Sequence, residues 1–148
     1  MSIKKQDFYE GAALHLLART NQVKSIRYDA PLFLINDWLL VLLKYCTRIR
    51  SPWGFTFTAD EQSILQKNPS KSSLMIGLIC GDDGVAAISY SSYLTVATPR
   101  PAAIHIACYR QHSEHYEVSG PDGTLNRKVA PSNWQKILES GTCDDETR

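Results

Sequence analysis

Asp29 stands just before one apolar run, residues 30–35, and Lys44 closes a second, residues 38–43, with only Asn36 and Asp37 between the runs. A carboxylate and an ammonium held on neighbouring extended segments can share a phosphate or a cation. Carboxylate oxygens are hard ligands for a cation, and an ammonium balances nearby negative charge. Two further acids flank the pair in sequence, Glu10 on a helical stretch upstream and Glu61 downstream. Arg48, Arg50 and Trp53 follow Lys44 closely. Two guanidiniums and an indole in one loop suit phosphate contacts and stacking on an unpaired base.

The elements that must position these groups can be read from periodicity and turn chemistry. A tight turn at Asn36-Asp37 pairs Ile35 with Trp38, Phe33 with Leu40, and Asp29 with Lys44. Both strands of this hairpin are apolar on both faces, so both faces should be covered. Upstream, Phe8, Ala12, Ala13, Leu16 and Leu17 recur at helical spacing within residues 6–20. Gly11 weakens that helix by about 1 kcal/mol relative to alanine, which predicts close packing there. Residues 23–28 alternate as a strand.

Downstream, residues 51–58 read as a loop into a helix that Thr58 and Glu61 open as a capping box. A polar linker follows at 68–73, then a buried strand at 74–80 and a Gly-Asp-Asp-Gly turn into a strand at 85–90. Residues 101–110 and 115–120 read as a strand pair, with a tight turn at 120–123. Ser132 and Gln135 suggest a second capping box, opening a short helix through Trp134 and Leu138. The order predicts one α+β domain over residues 1–138, a mixed central β-sheet flanked by helices with a β-rich C-terminal half, and a frayed acidic tail at 139–148.

Composition narrows the function classes. At 148 residues the chain fits one domain that buries roughly 70% of its unfolded surface. The net charge of +1 divides unevenly: the last ten residues carry four acids and one base, −3, leaving +4 on the rest. That balance allows a modest basic patch and falls short of a strongly basic nucleic-acid-binding domain. The N-terminus has no apolar h-region, and the apolar runs are far short of the ~20 residues that span a bilayer. The chain therefore reads as soluble and cytoplasmic, with no membrane partner. Cys46, Cys80, Cys108 and Cys143 form no CxxC pair and read as reduced, mostly buried thiols.

A helix, a hairpin with aspartate at its start and lysine at its end, then a helix and a strand together resemble the core of the PD-(D/E)XK, or restriction-endonuclease-like, nucleases. The resemblance covers roughly residues 6 to 80. It implies a restriction-endonuclease-like core, Mg²⁺ as cofactor, and DNA or RNA as partner. On this likeness Asp29 matches the metal-binding acid, Lys44 the phosphate stabiliser, and Glu10 the helix glutamate, a second metal ligand. Glu61 is a further candidate acid, since the family sometimes moves one onto the following helix. The chain departs from the pattern at Leu42, which stands where the family has Asp or Glu and offers no ligand atom.

Each residue also has a structural role to fill. Lys44 can close a strand and pair with Asp29, Asp29 can serve the Ala-Pro turn, Glu61 already caps a helix, and Trp53 can pack inward beside Phe55 and Phe57. His105 and Cys108 differ in strand parity, which argues against a zinc site with His112 and His115. Two readings follow. In the first the protein binds or cleaves nucleic acid at a Mg²⁺-dependent phosphodiesterase site, intact or degenerate. In the second it is a non-catalytic protein-interaction module, regulatory, immunity or complex-assembly, with a protein partner or self-association.

Overall fold

The computed structural model describes residues 1–68 and 73–139. Most of the linker expected at 68–73 (69–72), nearly all of the acidic tail (140–148) and Cys143 lie outside the described residues. Helix α1 (Lys5–Ala18) is followed by β1 (Ile26–Asp29), β2 (Leu32–Ile35), β3 (Leu39–Cys46) and β4 (Trp53–Phe57). Then come α2 (Ala59–Lys67), β5 (Leu74–Cys80), β6 (Gly84–Ser89), α3 (Tyr90–Val96), β7 (Ile104–Tyr109), β8 (Glu117–Gly120) and β9 (Gly123–Thr124). A 3-10 helix (Pro131–Lys136) closes the described chain.

Two sheets result. The central one has five strands in the order β1-β2-β3-β5-β6, and the second has four in the order β4-β7-β8-β9. The central sheet is mixed: β3 and β5 run parallel through the α2 crossover, and its other pairs are antiparallel. The fold is α+β. Covering differs by face, however. On one face α1 contributes Ala13 and Leu17, and the C-terminal segment contributes Trp134, Ile137 and Leu138. The opposite face, with Leu42, Ile76 and Leu78, is covered by Phe55, Phe57, Ile104, Ile106 and Val118 of the second sheet. At β5 both faces are covered, which is why this strand is a continuous apolar run buried at every position.

The turn at Asn36-Asp37 forms where expected, with φ of 55° and 61° and Trp38 N–H donating to the Ile35 carbonyl at 3.2 Å. The register departs from expectation by one residue. Ile35 pairs with Leu39 and Phe33 with Val41, because Trp38 is an extra residue beside the turn. Asp29 is not on that strand at all: the chain folds back at Ala30-Pro31, and Asp29 pairs with Leu32 at the end of β1.

Four other expectations change. Residues 51–58 are not only loop, since Trp53–Phe57 is a strand whose inward Trp53, Phe55 and Phe57 alternate with exposed Gly54 and Thr56. Residues 90–96 turn into α3, capped by the Ser89 hydroxyl. Ser132 and Gln135 make no capping box: Ala130 is the N-cap, without a side-chain cap bond, and Pro131 opens a 3-10 helix. Gly11 shows no close packing, for a Cβ placed there meets nothing within 4 Å.

Candidate functional site

Strand β2 begins at Leu32, opposite Leu42, so residues 43–46 of β3 have no strand neighbour on that side among the described residues. A cleft of about 400 Å³ occupies the gap. Gln6 and Glu10 enter it from α1, Pro31 from the β1–β2 turn, Thr56 from β4 and Glu61 from the start of α2, around Leu42 and Lys44. Glu10, Lys44 and Glu61, three of the four candidate catalytic residues, thus share one cleft.

Lys44 sits in the row Leu40, Leu42, Lys44 on the face that packs against the second sheet, and strand alternation sends its amine towards β4 and α2. There its Nζ donates to both Glu61 oxygens, at 2.9 Å each. The side chains of this pair are only 18% and 20% exposed. The ammonium also lies 5.3 Å from the centroid of the Phe57 ring, within cation–π range.

Glu61 does a second job with the same carboxylate. Its Oε1 accepts the Thr58 N–H at 3.0 Å, and its own N–H donates to Thr58 Oγ at 3.1 Å, closing the expected capping box. The neighbouring Gln62 is buried and equally committed. It donates to the Phe57 and Ala102 carbonyls and accepts the Arg100 N–H at 2.9 Å, which ties α2 to the segment before β7.

Among the described residues, Glu10 has no ion-pair partner in contact. Gln6 Nε2 donates to it at 2.8 Å. Burial raises its carboxyl above the ordinary range, opposed by the Gln6 bond and the field of Lys44 and reinforced by Asp7. The cleft therefore holds a compensated Lys44–Glu61 pair beside one carboxylate that resists ionising.

The remaining candidates lie elsewhere. Asp29 is exposed at the sheet edge and does not line the cleft, so the expected Asp29–Lys44 pairing is overturned: β2 stands between their strands, and Lys44 has Leu78 as its ladder neighbour. Trp53 is 2% exposed, with its Nε1–H donating to the Arg48 carbonyl at 3.0 Å. An indole so placed cannot stack on a base, which corrects its assignment as a nucleic-acid contact. Arg48 and Arg50 are exposed, with Ile49 between them 81% exposed. The loop that carries them is fixed by Gly81, whose φ of +55° brings it so close to the Arg48 carbonyl that an added Cβ would stand 2.2 Å away.

Thr56 and Gln6 were missed from sequence, although each carried a signal. Thr56 is an outward position of an alternating Trp-Gly-Phe-Thr-Phe strand, and Gln6 lies one helical turn before Glu10. Cys46, Cys80 and Cys108 are free thiols, and contact with Cys108 together with burial pushes the Cys80 thiol up. His105 faces outward to Thr56 while Cys108 is buried, as their parity requires.

Mg²⁺ takes about six oxygen ligands in near-octahedral array. Among the described residues no three His, Cys, Asp or Glu side chains gather in a way that could hold a metal ion. In the cleft Glu61 is already occupied by Lys44 and Thr58, and Leu42 has no donor, so Glu10 alone is left. Among the described residues no helix is long and apolar enough to cross a membrane. Compared with known proteins, the chain matches no family model, no curated protein and no solved structure.

Proposed function

We propose that the protein is a non-catalytic interaction domain, in which the Lys44 cleft is a structural joint. One observation carries this reading: Lys44, the cleft's one lysine among the described residues, gives its ammonium to both oxygens of Glu61, whose carboxylate also closes the N-terminus of α2. A phosphate stabiliser has to present uncompensated charge, and a metal-binding acid has to present free oxygens. Here each group uses up the other. The exposed Arg48-Ile49-Arg50 segment supplies the surface such a domain would use. Arginine is enriched at protein contacts, and here two bracket an exposed apolar side chain on a loop pinned by Trp53 and Gly81.

A second reading, a Mg²⁺-dependent phosphodiesterase acting on DNA or RNA, is favoured by the meeting of Glu10, Lys44 and Glu61 in one cleft. It requires Glu61 to be released from Lys44. The two are separated by incubating the protein with plasmid and single-stranded nucleic acid in Mg²⁺ or Mn²⁺, beside Lys44→Ala. The first reading expects no cleavage from either protein. Cleavage by the wild type that disappears in Lys44→Ala would establish the second.

A further inference from the structure

We infer that β1 is a self-association edge, through which two copies of the chain pair antiparallel about a two-fold axis centred on Tyr28. The strand is the outermost of the central sheet, has β2 as its sheet partner on one side, and is exposed at all four positions. Its apolar side chains are displayed rather than hidden: Ile26 is 39% and Tyr28 57% exposed. A sheet edge with unpaired backbone groups and exposed apolar residues is a template for another strand.

The backbone directions restrict how that strand can sit. The Ser25 carbonyl accepts the Asn36 N–H at 2.9 Å, so residue 25 faces β2. Antiparallel ladders alternate, so Arg27 and Asp29 also face β2, while the N–H and C=O groups of Ile26 and Tyr28 point to the open edge. A second copy of β1 must therefore exchange its bonds through Ile26 and Tyr28, which leaves three registers.

Charge selects among them. Placing Ile26 opposite the partner's Tyr28 sets Arg27 directly against the partner's Arg27. Placing Ile26 opposite the partner's Ile26 draws in Lys24, whose N–H already donates to Asn36 Oδ1 at 2.5 Å. Placing Tyr28 opposite the partner's Tyr28 sets Arg27 against the partner's Asp29 and, by the same symmetry, Asp29 against the partner's Arg27. These are non-hydrogen-bonded positions, where facing side chains come closest. The strand is self-complementary in this register alone, as a two-fold interface requires. Arg27 now holds Asp37 at 3.1 Å, a pair whose side chains are 69% and 70% exposed, and such a contact is weak enough to be exchanged. Association would cover Tyr28, whose ring already packs on Phe33 at 4.7 Å between centroids, and join two five-stranded sheets into one.

The test is the mass of the full chain in solution, by sedimentation equilibrium across a concentration series, for wild type, R27D, D29R, the R27D/D29R double variant and D37A. The three substituted positions, Arg27, Asp29 and Asp37, are exposed, and circular dichroism checks that each variant folds. The expected result is a wild-type dimer, a dimer constant weakened roughly tenfold or more in each single charge reversal, recovery in the double reversal, and no loss in D37A. A wild type that stays monomeric throughout the series, or a dimer indifferent to both single reversals, overturns the inference.

Discussion

Lys44 Nζ lies 2.9 Å from each carboxylate oxygen of Glu61, and one of those oxygens also receives the Thr58 N–H at 3.0 Å. This joins the half of β3 that β2 does not flank to the first turn of α2 across a cleft wall. The crossover from β4 to β5 runs through α2, so a contact that fixes the start of this helix also fixes how the second sheet sits over the first. The pair is shielded enough to matter, unlike the exposed Arg27–Asp37 pair.

Glu10 should be a burden at neutral pH. Burial raises its folded carboxyl above the ordinary value of 4.5, so the folded state favours the protonated acid more than the unfolded chain does. The stability this contributes is present below pH 4.5 and lost as pH rises through the raised value. Glu10→Gln, which stays neutral and can still bond Gln6, should melt at the same temperature as wild type near pH 4 and higher at pH 7. A variant that melts lower at pH 7 would show that the carboxylate is held by something stabilising.

Asp122 carries the opposite sign. Bonds from the Thr98 hydroxyl and N–H and from Arg100 hold its carboxyl down from 3.8 to about 2. Its contribution is present above pH 3.8 and lost as pH falls towards about 2. Asp122→Asn should melt lower than wild type at neutral pH, with the gap closing over that acid window. A gap constant with pH would detach the effect from the carboxylate charge.

Trp53 and its neighbours separate packing from binding. Removing a buried indole by Trp53→Ala should cost about 3–5 kcal/mol in urea unfolding, whereas Arg48→Ala and Arg50→Ala should each fall within about 0.5 kcal/mol of wild type. A near-neutral Trp53→Ala would mean the indole is free to act elsewhere.

Gly11 sits mid-helix with open space where a Cβ would go. Gly11→Ala should therefore stabilise the protein by about 0.5–1 kcal/mol, measured by the same unfolding. Loss of stability would reveal a contact at that position.

The α+β class and the principal strands were legible because their signals are local. Alternation and apolar runs marked β3, β5 and β7, and the Thr58–Glu61 box marked the start of α2. What escaped depended on geometry that sequence spacing does not carry. Placing Asp29 against Lys44 assumed one continuous strand from 29 to 35, and the fold-back at Ala30-Pro31 together with the extra residue at Trp38 broke both halves of that assumption. Lys44 took Glu61 as its partner instead, 17 positions away, because the α2 crossover returns the helix start to the end of β3. Trp53 read as a loop aromatic until its alternation with Gly54, Phe55, Thr56 and Phe57 placed it in β4 facing the core.

The most direct measurement is a double-mutant cycle on unfolding free energy with Lys44→Ala, Glu61→Ala and the double variant. Each single change should cost about 1–3 kcal/mol, and the cycle should return a coupling of about 1 kcal/mol or more, since loss of the cap at Glu61 cancels between its two sides. A coupling within about 0.3 kcal/mol of zero, beyond the usual scatter of additive sites, would mean that the ammonium and the carboxylate do not hold each other in the folded protein.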